Sequence, residues 1–413
     1  MITCYLDSQD YSTLTDPKRQ SDAIAQTRTT LLALSTQQQV RFVFSAAAVS
    51  EATPLDPTCS FLGEFRGELL SELCGVNALM SFDRLLNVEI AALATRRCRP
   101  LPSEALDLSG EWFPSFPHPE NPSHTLSLWE EMQARADDEL KSLGYSRLQR
   151  RTKLKKLFKH GQPVPALAEQ MKSSTRDRVI EELIRHYPMK PEHAGVLARY
   201  GLGLASEQEF DQALRASLRD PRFMMKWFAT DHALASPIAD MVRKPGQELG
   251  NILRTLSSEM KQWAEEFIAT DDDLPLPTAK HGKITQQWRE MEERTLVRLV
   301  TRMAEARLIT VGAITAEDVD LYCPGLSTTV RSIYSSVWDN VGGSRKEQPS
   351  DSQPVDAMHA MYAPYVTVFR ADSFMAPHIQ RQVKRHGTIV EPKLHRLPSI
   401  LADQLTHMDK AGL

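Results

Sequence analysis

The chain is poor in the features that mark several large protein classes. Its 413 residues contain five cysteines, Cys4, Cys59, Cys74, Cys98 and Cys323, and no two of them form a C-x-x-C pair. An odd, scattered set of thiols argues against a disulfide framework or a cysteine zinc site and fits reduced cysteines filling core space. No stretch reaches the roughly 18 consecutive apolar residues of a membrane span. The opening residues, MITCYLDSQD, lack a basic segment followed by a long apolar run, so no secretory signal is expected. Neither charge sign dominates: 49 Lys and Arg face 53 Asp and Glu, for a net charge of -4. That balance excludes a protein that coats nucleic acid by bulk charge and leaves room for a local basic patch. The patterns G-x-x-x-x-G-K-[ST], H-E-x-x-H and G-x-S-x-G do not occur, so P-loop, zinc-protease and serine-hydrolase readings have no support. A soluble, cytoplasmic protein with no membrane partner is expected.

What is there is an ordinary packing composition, 41% hydrophobic and 25% charged. The length suits two or three domains, or one domain carrying a large insertion. Ile2 to Leu6 is a short β-type run that ends at Asp7. In SDAIAQTRTTLLALSTQQQ, Ser21 is placed to cap a helix with Ile24, Leu31 and Leu32 near one face. Val40 to Phe44, rich in β-branched and aromatic residues, reads as a second strand. Strand, helix and strand at this spacing predict a βαβ unit with parallel strands and a right-handed crossover. Phe65 to Ala94 reads as helical, and the proline- and serine-rich stretch that begins at Arg99 as an irregular boundary.

From Thr125 to Arg345 the pattern is almost wholly helical. SEQE at Ser206 to Glu209 is a capping-box pattern ahead of Phe210, Leu214 and Leu218. Leu249, Ile252, Leu253, Leu256, Met260, Trp263 and Phe267 form an apolar stripe on one helix, and a second amphipathic run spans Ile284 to Leu308. After the connector GGSRKEQPSDSQP, β character returns at Tyr365 to Phe369 and in GTIVEP, Gly387 to Pro392. Strands at both ends with helices between them predict one α/β domain, built from both ends around a mostly parallel sheet and interrupted by an α-helical insertion. The division drawn is 1–98 and 346–413 for the two segments of that domain and 99–345 for the insertion.

Four acids fall where such a domain converges. Asp7 ends the first strand, Glu51 follows the second in FSAAAVSEA, Asp356 opens a helix in VDAMHAMYA, and Asp372 follows YVTVF. In an open parallel sheet the carboxyl ends of the strands form the ligand-binding edge. Acids crowded there repel one another unless a cation or a proton relieves them, and hard oxygen donors favour Mg²⁺ or Mn²⁺. Each position also has a plainer use. Asp7 and Asp356 suit turn or helix caps, and Glu51 complements a helix dipole. Asp10 either shares the role of Asp7 or caps the next helix, and Asp351 competes with Asp356. Ser50 adjoins Glu51. His359 either orients a carboxylate or a water, or is a hydrogen-bonded core residue, and Tyr362 and Tyr365 read as core rather than as stacking platforms.

The stretches YLDSQDYSTL, VFSAAAVSEA and DAMHAMYAPYVTVFRADSFM together resemble the PIN-domain nucleases, and TIVEPKLHRLPSILADQL is similar to that family's closing strand and helix. The resemblance covers Met1 to Ala94 and Gln353 to Leu413; unlike the family's usual contiguous core, here about 250 residues intervene. It implies a PIN-like three-layer fold and a metal-dependent nuclease, acting on RNA rather than DNA, with Asp7, Glu51, Asp356 and Asp372 as catalytic ligands of Mg²⁺ or Mn²⁺. Asp10, Ser50 and His359 would support them. A toxin or antiviral-defence role belongs to the same implication. The alternative is a catalytically silent PIN-like scaffold whose helices dock a regulatory protein.

One further segment stands out. KSLGYSRLQRRTKLKKLFKH, Lys141 to His160, has eight Lys or Arg and no acid. It is either a solvated helix face or a phosphate-contact surface carried by Arg147, Arg150, Arg151, Lys153, Lys155 and Lys156.

Overall fold

The computed structural model describes residues 1–54, 57–114, 128–159, 162–164, 188–201, 205–230, 282–342 and 357–411, with single positions at 255, 258 and 262. All seven residues of the stripe from Leu249 to Phe267, the connector after Gly342, His160, and both Asp351 and Asp356 lie outside these residues.

Four strands form the central sheet: β1 (Ile2–Tyr5), β2 (Val40–Val43), β3 (Val368–Arg370) and β4 (Ile389–Glu391). Their order is β2-β1-β3-β4 and every pairing is parallel, with Ile2 opposite Val40, Cys4 opposite Val368 and Val368 opposite Ile389. The two ends of the chain therefore meet at the β1–β3 ladder. There Thr3 and Thr367 exchange backbone and side-chain hydrogen bonds, Thr367 N to Thr3 Oγ1 at 3.0 Å and Thr3 N to Thr367 Oγ1 at 3.2 Å. The run from Tyr365 is shorter as a strand than its β-rich composition predicts. Ala360–Tyr365 is a 3-10 helix with Pro364 inside it, so extended pairing starts only at Val368.

Alternation along the strands divides the core in two, because successive side chains point to opposite faces. Tyr5, Val43 and Phe369 face one side, with Tyr5 stacked on Phe369 at 5.1 Å between ring centroids. Ile2, Cys4, Leu6, Phe42, Phe44 and Val368 face the other. The second face is covered by α1 (Ser8–Thr15), α2 (Asp22–Thr36), α3 (Ala46–Ala52) and α4 (Ser60–Cys74), all from the amino-terminal segment. The first face takes α5 (Phe82–Thr95), and a two-stranded ribbon, Ala78–Leu79 with Leu106–Asp107, lies beside it.

The long intervening stretch supplies α6 (Leu128–Ser142), α7 (Arg147–Leu157), helices Pro191–Gly201 and Glu207–Leu218, α8 (Pro221–Thr230), α9 (Gly282–Ala306), α10 (Ala316–Tyr322) and α11 (Pro324–Gly342). The capping box at Ser206 and Glu209 is formed. Helix α8 packs on α4, where a Cβ on Gly67 would lie 2.9 Å from Arg222 Cα, so the two helices approach this closely only over glycine. On the opposite face Trp288, Leu296, Val300 and Val330 join the core of Tyr5 and Phe369. The chain closes with α12 (Ala376–Val383), β4 and α13 (Leu397–Ala411). The result is a three-layer α/β fold around a parallel sheet, with a large helical region inserted between its core strands.

Two buried polar contacts lock these layers. Glu89 of α5 is fully buried and accepts from Gly325 N at 2.6 Å, Leu326 N at 3.2 Å and the Tyr365 hydroxyl at 2.5 Å. It satisfies the orphan amides that open α11, and Gly325 is needed because a Cβ there would sit 2.7 Å from Glu89 Oε1. Burial nonetheless pushes the Glu89 carboxyl up to about 7, against the opposing pull of those three hydrogen bonds. The second contact is Arg370, at the end of β3. Its guanidinium donates to Asp10 Oδ1 at 2.6 Å, to Ala371 O at 2.8 Å and to Glu391 O, and both Arg370 and Asp10 are almost wholly buried.

Leaving one member of a buried ion pair without its partner costs about 3–5 kcal/mol. Arg370→Met is therefore expected to lower the urea-unfolding free energy by that order, and the double variant Arg370→Met/Asp10→Leu to recover much of the loss. A single variant within about 0.5 kcal/mol of the parent would show that the pair does not hold the two chain ends together.

Candidate metal centre at the carboxyl edge of the sheet

Asp7 leaves β1 and occupies the N-cap position of α1. Asp10, three residues on, accepts from Asp7 N at 3.1 Å while its other oxygen takes the Arg370 guanidinium. Asp10 is thus both cap and ion-pair partner, and it fixes the backbone from which the Asp7 carboxylate projects. Glu51 sits on α3, the helix that follows β2, in a run of small residues, AAAVSEA, that lets this helix lie against the core. Ser50 is buried beside it. His359 immediately precedes the 3-10 helix that leads down to β3.

These three elements bring Asp7, Glu51 and His359 together: one ligand atom from each lies within 4.8 Å of the others. His359 Nε2 contacts Glu51 Oε2 at 2.6 Å, and its Nδ1 is hydrogen-bonded to the Tyr5 hydroxyl, which in turn contacts Ser45 Oγ at 2.7 Å. Ser45 also caps α3 by accepting from Ala48 N at 3.3 Å. Burial pushes the Tyr5 phenol well above its ordinary value, so it stays protonated and can either donate to or accept from the imidazole. The tautomer of His359 is therefore reversible through Tyr5 and Ser45. With Nε2 protonated it donates to Glu51; with Nδ1 protonated, Nε2 offers a lone pair to a cation.

The charges around the cluster are unbalanced. Burial raises the Asp7 carboxyl above the usual carboxylate range; the neighbouring charges of Glu51 and Asp372 add to this, while His359 and Arg370 oppose it. Asp10 is likewise raised, to about 6, by burial against the pull of Arg370. Asp372 follows β3 and is close enough for its charge to act on Asp7, but its Oδ1 accepts from Met375 N at 2.5 Å and opens α12. It stands outside the group of three. Asp356 falls in the undescribed segment just ahead of Ala357.

Two carboxylates and an imidazole, partly desolvated, make a donor set for a divalent cation. The nitrogen donor shifts its preference from Mg²⁺, which takes oxygen ligands, towards Mn²⁺ and the later transition metals. The site thus combines Asp7 and Glu51, legible as acids after strands, with His359 as a candidate ligand rather than only a support. Tyr5, Ser45 and Arg370 carry no mark in the sequence reading above. A charged residue closing an apolar strand, as in the VFRAD stretch, is the signal that was available for Arg370.

Searches of protein families, of curated proteins and of solved structures find no match to this chain. Among the described residues, no helix is long and apolar enough to cross a membrane.

An acid whose folded-state pKa is raised stabilises the fold below its unfolded value, and that contribution is lost as pH rises through the folded value. Metal-free protein is expected to lose thermal stability from pH 5 to pH 8. Asp7→Asn should remove part of that loss and melt higher than the parent at pH 8 in EDTA. Mn²⁺ needs the ionised Asp7, so it should raise the parent's melting temperature more at pH 8 than at pH 5. Stabilisation of Asp7→Asn by Mn²⁺ equal to that of the parent would remove Asp7 from the site.

Proposed function

We propose that this chain is a metal-dependent nuclease of PIN-like type, acting on RNA in preference to DNA. The observation that supports it is the convergence of Asp7, Glu51 and His359 at the carboxyl edge of a parallel sheet, where α/β folds bind ligands. Asp7 and Glu51 supply charged oxygen donors, and His359, oriented by Tyr5, supplies nitrogen. Asp356, or Asp351, would join them from the segment ahead of Ala357, and Asp372 would add negative charge at the rim. When bound, a divalent cation such as Mn²⁺ or Mg²⁺ provides a water of lowered pKa and neutralises charge developing on a phosphodiester.

The chain's own residues do the rest. Arg370 and Asp10 keep the Asp7 backbone in place, so that the carboxylate does not relax away from its neighbours. With a cation held by the site, the Glu51 oxygen that does not contact it would be placed to accept a proton from a water. The substrate's phosphates would be held by α7. Arg147, Arg151, Lys155 and Lys156 are exposed on it, Arg150 pairs with Asp137 at 3.0 Å, and Lys153 lies over the Tyr145 ring. Leu154 anchors this helix by its one buried side chain, which leaves most of its charge to solvent. A toxin or defence role is part of the same proposal.

Cleavage of a labelled single-stranded RNA is expected with Mn²⁺ and to vanish in EDTA. Asp7→Asn and His359→Ala are each expected to lower the rate by about 100-fold or more while the protein remains folded. Reversing Arg147, Arg151, Lys155 and Lys156 to Glu should weaken RNA binding and flatten its salt dependence by roughly 0.7 for each phosphate that is no longer neutralised. Full cleavage in EDTA would overturn the mechanism. Mn²⁺ binding without cleavage of any nucleic acid would leave a silent scaffold whose helices dock a protein partner.

A further inference from the structure

On the first face of the sheet, α10, α11 and the end of α12 border a shallow, open cleft of about 640 Å³ lined by Asp320, Arg331, Arg381, Gln382, Lys384 and Arg385. Four cations line one concavity, Arg331 from α11 and Arg381, Lys384 and Arg385 from the end of α12. Asp320 is the one acid among them, and it is already committed: Arg331 holds both its oxygens, at 2.8 and 3.0 Å, and Arg385 lies 3.2 Å away. Burial raises the Asp320 carboxyl, but hydrogen bonds from Arg385, Arg331 and Ser327 outweigh it, so the group sits below its ordinary value and stays ionised. Glu292 adds a second negative charge behind Arg331, at 2.8 Å. Two acids therefore face four cations.

The surplus lies on Arg381 and Lys384. Arg381 donates to Ser335 Oγ at 2.8 Å and has no carboxylate partner among the described residues, and Lys384 has no ion pair among them. Cations at a helix end also offset its macrodipole, but that dipole amounts to about half a charge. The local field is positive beyond the cleft itself. His386 next to it is depressed to about 4 by burial and by the charges of Arg385 and Arg99.

The shape and the lining point to the ligand. Among the described residues no aromatic ring lines the cleft, so nothing there stacks a nucleobase, and every lining side chain is polar. The volume is that of a small-molecule site rather than an extended groove. A nucleic-acid backbone offers single charges spaced along a line and suits a stripe, whereas converging Arg and Lys suit several phosphates on one small ligand. We propose that this cleft is a second binding site, for a di- or triphosphate group carried by a small molecule, recognised through Arg381, Lys384 and Arg385 with Gln382 as a neutral hydrogen-bonding partner. Arg331 anchors the cleft by fixing Asp320. The site is separate from the acidic cluster: α12 begins beside Asp372 and delivers Arg381 to Arg385 at its other end.

Binding of inorganic tripolyphosphate and of ATP, each in EDTA, would be measured by calorimetry with thermal melting alongside. Both are expected to bind the parent and the Asp7→Asn variant equally and to raise their melting temperatures. The exposed pair Arg381→Ala/Lys384→Ala should weaken both by at least about tenfold without changing the melting temperature of free protein. If ATP binds tighter than tripolyphosphate, the source is a nucleotide; if they are equal, the phosphate chain alone is recognised. No binding of either, or binding unchanged in the double variant, would overturn the proposal. So would a 20-nucleotide single-stranded RNA that displaces tripolyphosphate from the parent and loses its affinity in the double variant, since the cleft would then be a backbone contact.

Discussion

The buried contact between Arg370 and Asp10 is the constraint on which the architecture turns. One guanidinium binds the first helix, through Asp10, and the last strand, through the carbonyl of Glu391, while standing on the strand between them. It joins residues 360 positions apart in the chain. Desolvating an arginine and a carboxylate is costly, and a pair of this kind gives little net stability compared with well-packed apolar side chains. What it gives is position. A hydrophobic edge tolerates sliding, whereas Arg370 can meet Asp10 and both carbonyls in one register only. The Asp7 carboxylate, whose amide is held by Asp10, inherits that register.

Crowding follows from the same geometry. The parallel sheet sends Asp7, Glu51 and Asp372 to one edge, and the core packing that makes the edge rigid also strips water from Asp7. The fold alone has two ways to relieve this, a proton on a carboxyl or the hydrogen bond between Glu51 and His359. The proton is lost at the cost of stability when the carboxyl ionises, whereas the hydrogen bond persists with an ionised Glu51, and a divalent cation would take the place of both. Tyr5 links this chemistry to the core: the ring that stacks on Phe369 ends in the hydroxyl that sets the His359 tautomer. The same economy appears at Glu89, where an acid buried for structural reasons opens α11. The cationic cleft beyond α11 is of the opposite sign and uses the far end of α12. One helix thus has an acid at its start and a cluster of bases at its end.

Much of this was legible in the residues. Alternation and β-branching located β1 and β2, and the end-to-end sheet followed from there being too few strands at either end. Asp7 and Glu51 could be read as acids after strands because parallel strands must deliver them to one edge. The role of His359 was harder to see, because a lone histidine on an apolar helix carries no local mark, and only the three-dimensional meeting with Glu51 reveals it. Composition places Tyr365 in a strand, but Pro364 removes an amide and the segment winds into a 3-10 helix instead. The basic cleft was invisible for a different reason. Its cations are spread over Arg331, Arg381, Lys384 and Arg385, none of them in a conspicuous run, and only the packing of α11 against α12 gathers them. Conversely, the segment from Lys141 to His160 was conspicuous because its charges are contiguous, which says nothing of where they lie relative to a site.

The central claim is that Asp7, Glu51 and His359 form one cation site. The most direct test is a crystal soaked in Mn²⁺ and measured at the manganese absorption edge. The geometry predicts one anomalous peak about 2.2 Å from an oxygen of Asp7, an oxygen of Glu51 and Nε2 of His359, with the hydrogen bond between Glu51 and His359 broken. A structure in which that hydrogen bond persists at saturating Mn²⁺, with no peak between the three residues, would contradict it.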